Sequence, residues 1–160
     1  MESADISLIP ESLIKQVFPN MNQPDGEKVL FVSKGKKFNR YGISQDRIVL
    51  MSTFAVYLFS SKKVHTKVPI RELKYVIKSM HSKEFLLQFS EGIDLRIGGV
   101  EDREQMLGMM KDIFKKENPN QGCRFYGIPN PTLKEFKSNQ NKNNYDFEPD
   151  EKYRLKDEEI

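Results

Sequence analysis

A mainly β domain, a sandwich or small barrel of seven short antiparallel strands closed by one C-terminal amphipathic helix, is the fold class this sequence predicts. Two observations predict it. Between residues 28 and 97, apolar side chains come in short runs, several of them alternating with polar ones, and turn-prone clusters separate the runs. After Gly98 and Gly99 the period lengthens to that of a helix, in "VEDREQMLGMMKDIFKKENP". At 160 residues, with 31% charged and 11% aromatic side chains, the chain has the length and composition to bury one core. A short helix is expected before the strands and an extended tail after the helix, with boundaries at 1–27, 28–118 and 119–160.

Each element has its own reason. "ISLIPESLIKQVFPN" starts a helix at Pro10, places Leu13, Ile14, Val17 and Phe18 at helical spacing, and stops at Pro19. About two turns are marginal alone, so this helix needs a surface, and the barrel itself is the expected one. "KVLFVSK", "RIVLMST" and "AVYLFSS" read as strands, and "SKKVHTK" as a charged turn or edge. In "KVPIRELKYVIKS", Val68 and Ile70 are followed by Leu73, Tyr75 and Ile77 at period two. Phe85, Leu87 and Phe89 share a face of the next strand. Ile93, Leu95 and Ile97 share a face of the last, with Asp94 and Arg96 opposite. Such alternation predicts one buried and one wet face. In the closing helix Met106, Leu107, Met110, Ile113 and Phe114 form one stripe. Glu101, Asp102 and Glu104 at its start and Lys111, Lys115 and Lys116 at its end complement the helix dipole.

Residues 120–160 are rich in Asn, Pro, Lys and acids, with little periodicity, and read as a tail without a core of its own. Phe125, Tyr126, Leu133, Phe136, Tyr145, Phe147 and Tyr153 are spaced like anchors for a segment lying along another surface, and are the expected partner-docking residues.

Charge is distributed unevenly behind a net +3. Residues 28–83 hold thirteen basic and two acidic side chains, net +11, between ends of net −4 each. Such a block predicts a positive field on one part of the domain. Lys34, Lys36, Lys37, Arg40, Arg47, Lys62 and Lys63 are its candidate anion-binding residues. A cation near an anionic membrane is worth about 1 kcal/mol, so four or five facing one way give weak, reversible attachment. Catalysis finds little support. His65 and His81 lie in lysine-rich turns without ligand-spaced partners, and "GG" at 98 and 99 lacks the lysine of a phosphate loop and reads as a strand-to-helix turn. No cofactor is expected, and nucleic acid is disfavoured because the interleaved aromatics belong to strands. Cys123, the one cysteine, fits a reducing compartment and is expected to be inert. No secretion signal and no apolar run of membrane-spanning length is apparent.

Seven antiparallel strands followed by one helix is the order of a pleckstrin-homology (PH) domain. Within it, "KFNRYGISQDRIVLMSTFAVYLF" resembles the tail-homology domain of class I myosins: a lysine-x-asparagine-arginine strand end, a glycine turn, an arginine, an apolar strand and an aromatic-rich third strand. "VPIRELKYVIKS" is similar to that family's fourth and fifth strands. The resemblance spans about residues 28 to 116. It implies a partly open barrel with a helix plugging one end, and a lipid headgroup site at the first loop whose basic places fall on Lys37 and Arg47. The third place falls near Gln45, which is not basic, and Phe114 stands where most PH domains carry a tryptophan. The expected function is therefore a non-catalytic, cytoplasmic adaptor. Its basic first strand and loop would bind an anionic surface, foremost a phosphoinositide-containing membrane, and its tail a protein. The alternative is a structural subunit of a cytoskeletal or ciliary assembly, docked through the tail and N-terminal helix onto acidic protein surfaces.

Overall fold

The apolar runs pair into a single curled sheet. In the computed structural model, which describes residues 5–39, 41–136 and 149–160, the strands are β1 (Val29–Phe38), β2 (Ser44–Ser52), β3 (Ala55–Phe59), β4 (Val64–Pro69), β5 (Leu73–Ser79), β6 (Phe85–Phe89), β7 (Asp94–Gly98) and β8 (Arg124–Ile128). Their order is β4-β3-β2-β1-β7-β6-β5-β8. The first seven pair antiparallel, and β8 runs parallel to β5. The charged "VHTK" stretch forms the edge strand β4, where exposed Lys67 blunts further pairing. The curl brings Phe31, Val49 and Val56 from one half together with Phe85, Leu87 and Ile97 from the other. Helix α2 (Arg103–Glu117) presses Met106, Leu107, Met110 and Phe114 into that interior. Gly99, at φ +70°, turns the chain from β7 toward the helix, as the "GG" pair predicted.

The outer face of the first half is also apolar, and the N-terminal segment covers it. Helix α1 (Glu11–Val17) and its flanks set Ile9, Leu13, Ile14 and Phe18 on Leu50, Ala55, Tyr57 and Phe59. Phe18 meets the Tyr57 ring edge-on with centroids 5.1 Å apart. Burying each of the larger side chains stabilises by about 1.5–3 kcal/mol, which a seven-residue helix could not supply from its own hydrogen bonds. The Tyr57 hydroxyl donates to Glu27, which also accepts from the Ser52 hydroxyl. Burial and the carboxylate beside it push the Tyr57 phenol well above its ordinary range.

The second half corrects three expectations. First, Leu73, Tyr75 and Ile77 do not share a face. A register shift between Leu73↔Phe89 and Tyr75↔Gln88 inserts one extra residue in β5. Leu73 and Val76 therefore point inward, while Tyr75 and Ile77 join Leu86 outside. Second, that outer face is not wet, because the chain after α2 returns to cover it. Tyr126, Ile128 and Leu133 are buried there, with Phe136 and Tyr153 packed against them, and Phe125 enters the inner core. Third, residue 118 is therefore not a domain boundary. β8 extends the sheet, and residues 149–160 lie along it, with Leu155 N donating to Phe125 O at 2.7 Å and Lys115 pairing with Asp157 at 3.2 Å. Of the expected docking residues, Phe125, Tyr126, Leu133, Phe136 and Tyr153 anchor the tail to its own domain; Tyr145 and Phe147 lie outside the described residues.

Arg96, expected on a wet face, is buried too, and its charge is met. Its guanidinium bonds Glu84 at 2.7 Å and stacks on the Phe38 ring at 4.1 Å, and the second Glu84 oxygen accepts from Leu133 N at 2.7 Å. The Ser79 hydroxyl donates to Asn130 O at 2.6 Å. Arg103 of α2 caps the β5–β6 turn by donating to the carbonyls of Ser79, Ser82 and Glu84. Removing one member of a buried pair strands its partner. Glu84→Ala is expected to destabilise the fold by about 3–5 kcal/mol, and Phe125→Ala by a similar amount from the cavity it leaves. Chemical denaturation of each variant measures this. A loss under about 1 kcal/mol for Phe125→Ala would show the returning segment to be peripheral.

Candidate functional site

The β1–β2 hairpin carries five of the seven candidate anion-binding residues, and its tip is built by one asparagine. Asn39 Oδ1 accepts from Tyr41 N at 2.9 Å and Ile43 N at 3.0 Å, and Asn39 O accepts from Gly42 N at 2.9 Å. Gly42 takes φ +79°, a conformation glycine adopts without strain. The turn leaves Tyr41 and Ile43 at 71% and 61% exposure, the two most exposed large apolar side chains among the described residues. The nearby β3–β4 turn closes on Ser60, whose hydroxyl accepts from Lys62 N and Lys63 N.

Strand alternation divides the lysines of β1. Gly35 faces Val49 and Val100 of the inner core, so Lys37, two residues on, stands on that same inner side beyond the last core layer. Arg47, opposite Gly35 in the register, shares it. Lys34 and Lys36 take the outer side with Val32 and Ile48, where Lys36 meets Asp46 at 3.5 Å. The seven expected residues thus do not form one surface. Lys37, Arg47 and Lys63 gather around His65 at the mouth of the barrel, Lys34 and Lys36 face the other way, Lys62 is exposed at the β3–β4 turn, and Arg40 lies outside the described residues.

His65 reports the field at the mouth. Its imidazole is held below the ordinary histidine range, first by lost hydration and then by the charges of Arg47, Lys63 and Lys37. Among the described residues, no carboxylate figures among the causes of this shift. Arg47 is partly committed, donating to Asp46 O at 2.8 Å, while its Nε is buried without a partner. Cations gathered near one place raise the positive potential there. The sequence had shown His65 only as a histidine without ligands; its role follows from pairing β3 with β4. Tyr41 and Ile43 were legible as the flanks of a glycine turn but carried no sign of their exposure. Elsewhere, burial pushes the Cys123 thiol up to about 12, leaving it protonated at neutral pH. Among the described residues, no cluster of three or more His, Cys, Asp or Glu could hold a metal.

No family model and no curated protein matches the chain. Among solved structures, the C-terminal domain of an unknown protein from Leishmania infantum is similar over 65% of this chain and 96% of its own, at TM-score 0.52 and 13% identity. The hSac2 domain from human phosphoinositide phosphatase Sac2 is similar over 76% and 91%, at TM-score 0.50 and 11% identity. The PH domain of human oxysterol binding protein-related protein 11 follows over 63% and 90%, at 0.47 and 11%. At such identities the likeness concerns fold. The fold is PH-like: seven antiparallel strands in a partly open, curled sheet, with the C-terminal helix plugging it.

In ring-proton NMR titrations, His65 is expected to titrate below an ordinary histidine, and Lys63→Ala or Arg47→Ala to move its pKa upward. An ordinary or raised value in the unmodified protein would show that no uncompensated positive field exists at the mouth.

Proposed function

We propose that this chain is a non-catalytic binding module that attaches to an anionic, phosphate-bearing surface, a phosphoinositide-containing membrane above all, through the open mouth of its barrel. The observation that carries the reading is that Lys37 and Arg47 share the inner side of the β1–β2 hairpin, near a His65 held below the ordinary histidine range by the charges of Arg47, Lys63 and Lys37. The likeness to class I myosin tail-homology strands supports it, because Lys37 and Arg47 are the two places which that likeness implied. Three cations at about 1 kcal/mol each give about 3 kcal/mol, short of millimolar affinity. Tyr41 and Ile43 supply the second contact. Burying each in the bilayer interface adds about 1.5 kcal/mol or more, and the combined 6 kcal/mol corresponds to roughly 40 micromolar. The module is then a weak, reversible anchor on a cytoplasmic membrane face.

The tail has no part in this reading. An assembly subunit docked through Phe125, Tyr126 and Leu133 would have to strip its own sheet first, since all three are buried.

Vesicle sedimentation separates the two contributions. With phosphatidylserine vesicles containing a phosphoinositide, Lys37→Glu with Lys63→Glu is expected to weaken binding at least tenfold and to remove its salt dependence. Tyr41→Ser with Ile43→Ser is expected to weaken binding comparably while leaving that dependence in place. Equal binding to neutral vesicles, or none to anionic ones at low salt, overturns the reading. By linkage, an anion bound at the mouth favours the protonated imidazole, so the His65 pKa is expected to rise on addition of a soluble inositol polyphosphate.

A further inference from the structure

The strand order ends on β8, which pairs with β5 along one flank. Along the other flank runs the segment 149–160. It lies antiparallel to β8 through the bridge Tyr126↔Arg154 and the 2.7 Å bond from Leu155 N to Phe125 O. This is the start of a further strand, stopped on either side by the 3-10 turns Glu151–Tyr153 and Asp157–Glu159. Its seat has a definite chemistry. Leu155 lies over Gly127, where a Cβ would come within 3.2 Å of the leucine Cδ2 and 2.8 Å of Met80 Sδ, so the glycine makes the slot. The Asp157 carboxylate meets Lys115 of α2 at 3.2 Å, and its carbonyl accepts from Lys111 at 3.1 Å. Glu151 accepts from the Tyr126 hydroxyl at 3.2 Å. Leu155 and Ile160 pack against the margin of the inner core, as does Cys123.

The occupant of this seat is thinly held. Phe125, Tyr126 and Leu133 are buried, whereas of residues 150–160 only Tyr153, Leu155 and Ile160 are even half-buried. The Lys115–Asp157 pair is exposed on both sides, and such pairs contribute little. Few buried apolar contacts mark a segment that opens locally while the rest stays folded. We propose that the edge formed by β8 and α2 docks an extended acidic segment of another protein, and that residues 149–160 fill it in cis until that partner displaces them. Main-chain bonds to β8 give the partner its hold, and its side chains give the selection. The Gly127 slot takes a leucine-sized group, and Lys115 takes a carboxylate two residues later, the spacing of Leu155 and Asp157. A basic strand would set like charges against Lys111 and Lys115. The site shares no residue with the mouth and does not rest on the function proposed above.

Cys123 reports the opening, since Asp157 is near enough for its charge to act on the thiol. In the full chain, Leu155→Ser with Ile160→Ser is expected to raise the rate of Cys123 alkylation at least tenfold while the buried anchors keep unfolding cooperative. A synthetic peptide of residues 149–160, added to that variant, is expected to restore protection saturably and to shift the amides of Tyr126 and Gly127 in NMR spectra. Asp157→Lys in the peptide is expected to weaken it at least tenfold, and Lys115→Glu in the protein to recover the altered peptide. A reduced peptide that keeps only Glu151, Tyr153, Leu155, Asp157 and Ile160, with alanine elsewhere, is expected to bind within tenfold of the full one. The unmodified chain is expected to bind either peptide at least tenfold more weakly, because its tethered segment competes. Equal affinity for the unmodified chain and the variant, no saturable protection, or indifference to the Lys115–Asp157 exchange would overturn the site. Failure of the reduced peptide would confine the seat to this chain's own segment and overturn the partner. A dimer of the unmodified chain that is lost in the double variant would make a second copy the occupant, with the same consequence.

Discussion

The constraint on which the structure depends is a sheet that is apolar on both faces. Val49, Met51 and Val56 point into the barrel, while their chain neighbours Leu50, Ala55 and Tyr57 point out of it, and all six are buried. A half-solvated antiparallel sheet needs one covering layer; this one needs two. The inner layer is supplied by closure of the curl and by α2. The outer layer is made from the two ends of the chain, α1 over one half and the segment after α2 over the other. What would pass for appendages in a sequence of this composition is thus structural. The polar atoms near these coverings follow the same logic. Glu84 joins Arg96 to the backbone of Leu133, and Glu27 receives the hydroxyls of Tyr57 and Ser52, so groups excluded from water find partners.

The same alternation that creates two apolar faces also sorts the charges. Once the core layers end, β1 continues as Lys34, Gly35, Lys36 and Lys37, and each side chain inherits the side that its parity dictates. The basic residues of the first hairpin and the β3–β4 turn are thus divided between two sides rather than gathered on one. The mouth surface has three cations that act on His65, and the outer surface has two lysines, one of them shared with Asp46. Affinity at either place then has to draw on apolar contact as well as charge, because a few cations alone give only weak attachment.

Most of the architecture was legible. The strands from Val29 to Gly98, the stripe on α2 with its dipole-matching ends, and the docking of α1 on the barrel all follow from period, caps and length. The misses have physical causes. The β5 bulge at Leu73 and Tyr75 leaves no trace in a pattern where Leu73, Tyr75 and Ile77 alternate cleanly, since the extra residue is defined only against β6. Strand β8 hid because "RFYGI" is five residues long and lies among Asn and Pro. Its aromatics are spaced like anchors for another surface, and in the structure they pack on their own sheet. That Lys37 and Arg47 share a side of the hairpin follows from strand parity. That Lys34 and Lys36 turn away from them required the true register of β1, and the place of His65 required its pairing partner.

The parallel pairing of β8 with β5 carries a consequence for biosynthesis. The ribosome releases β5 and β6 some forty residues before the strand that completes them. During that interval Tyr75, Ile77 and Leu86 form a greasy ledge beside an unzipped strand margin, the kind of surface that nascent-chain chaperones hold. Maturation of this half of the sheet therefore waits for the segment after α2, which acts as a latch.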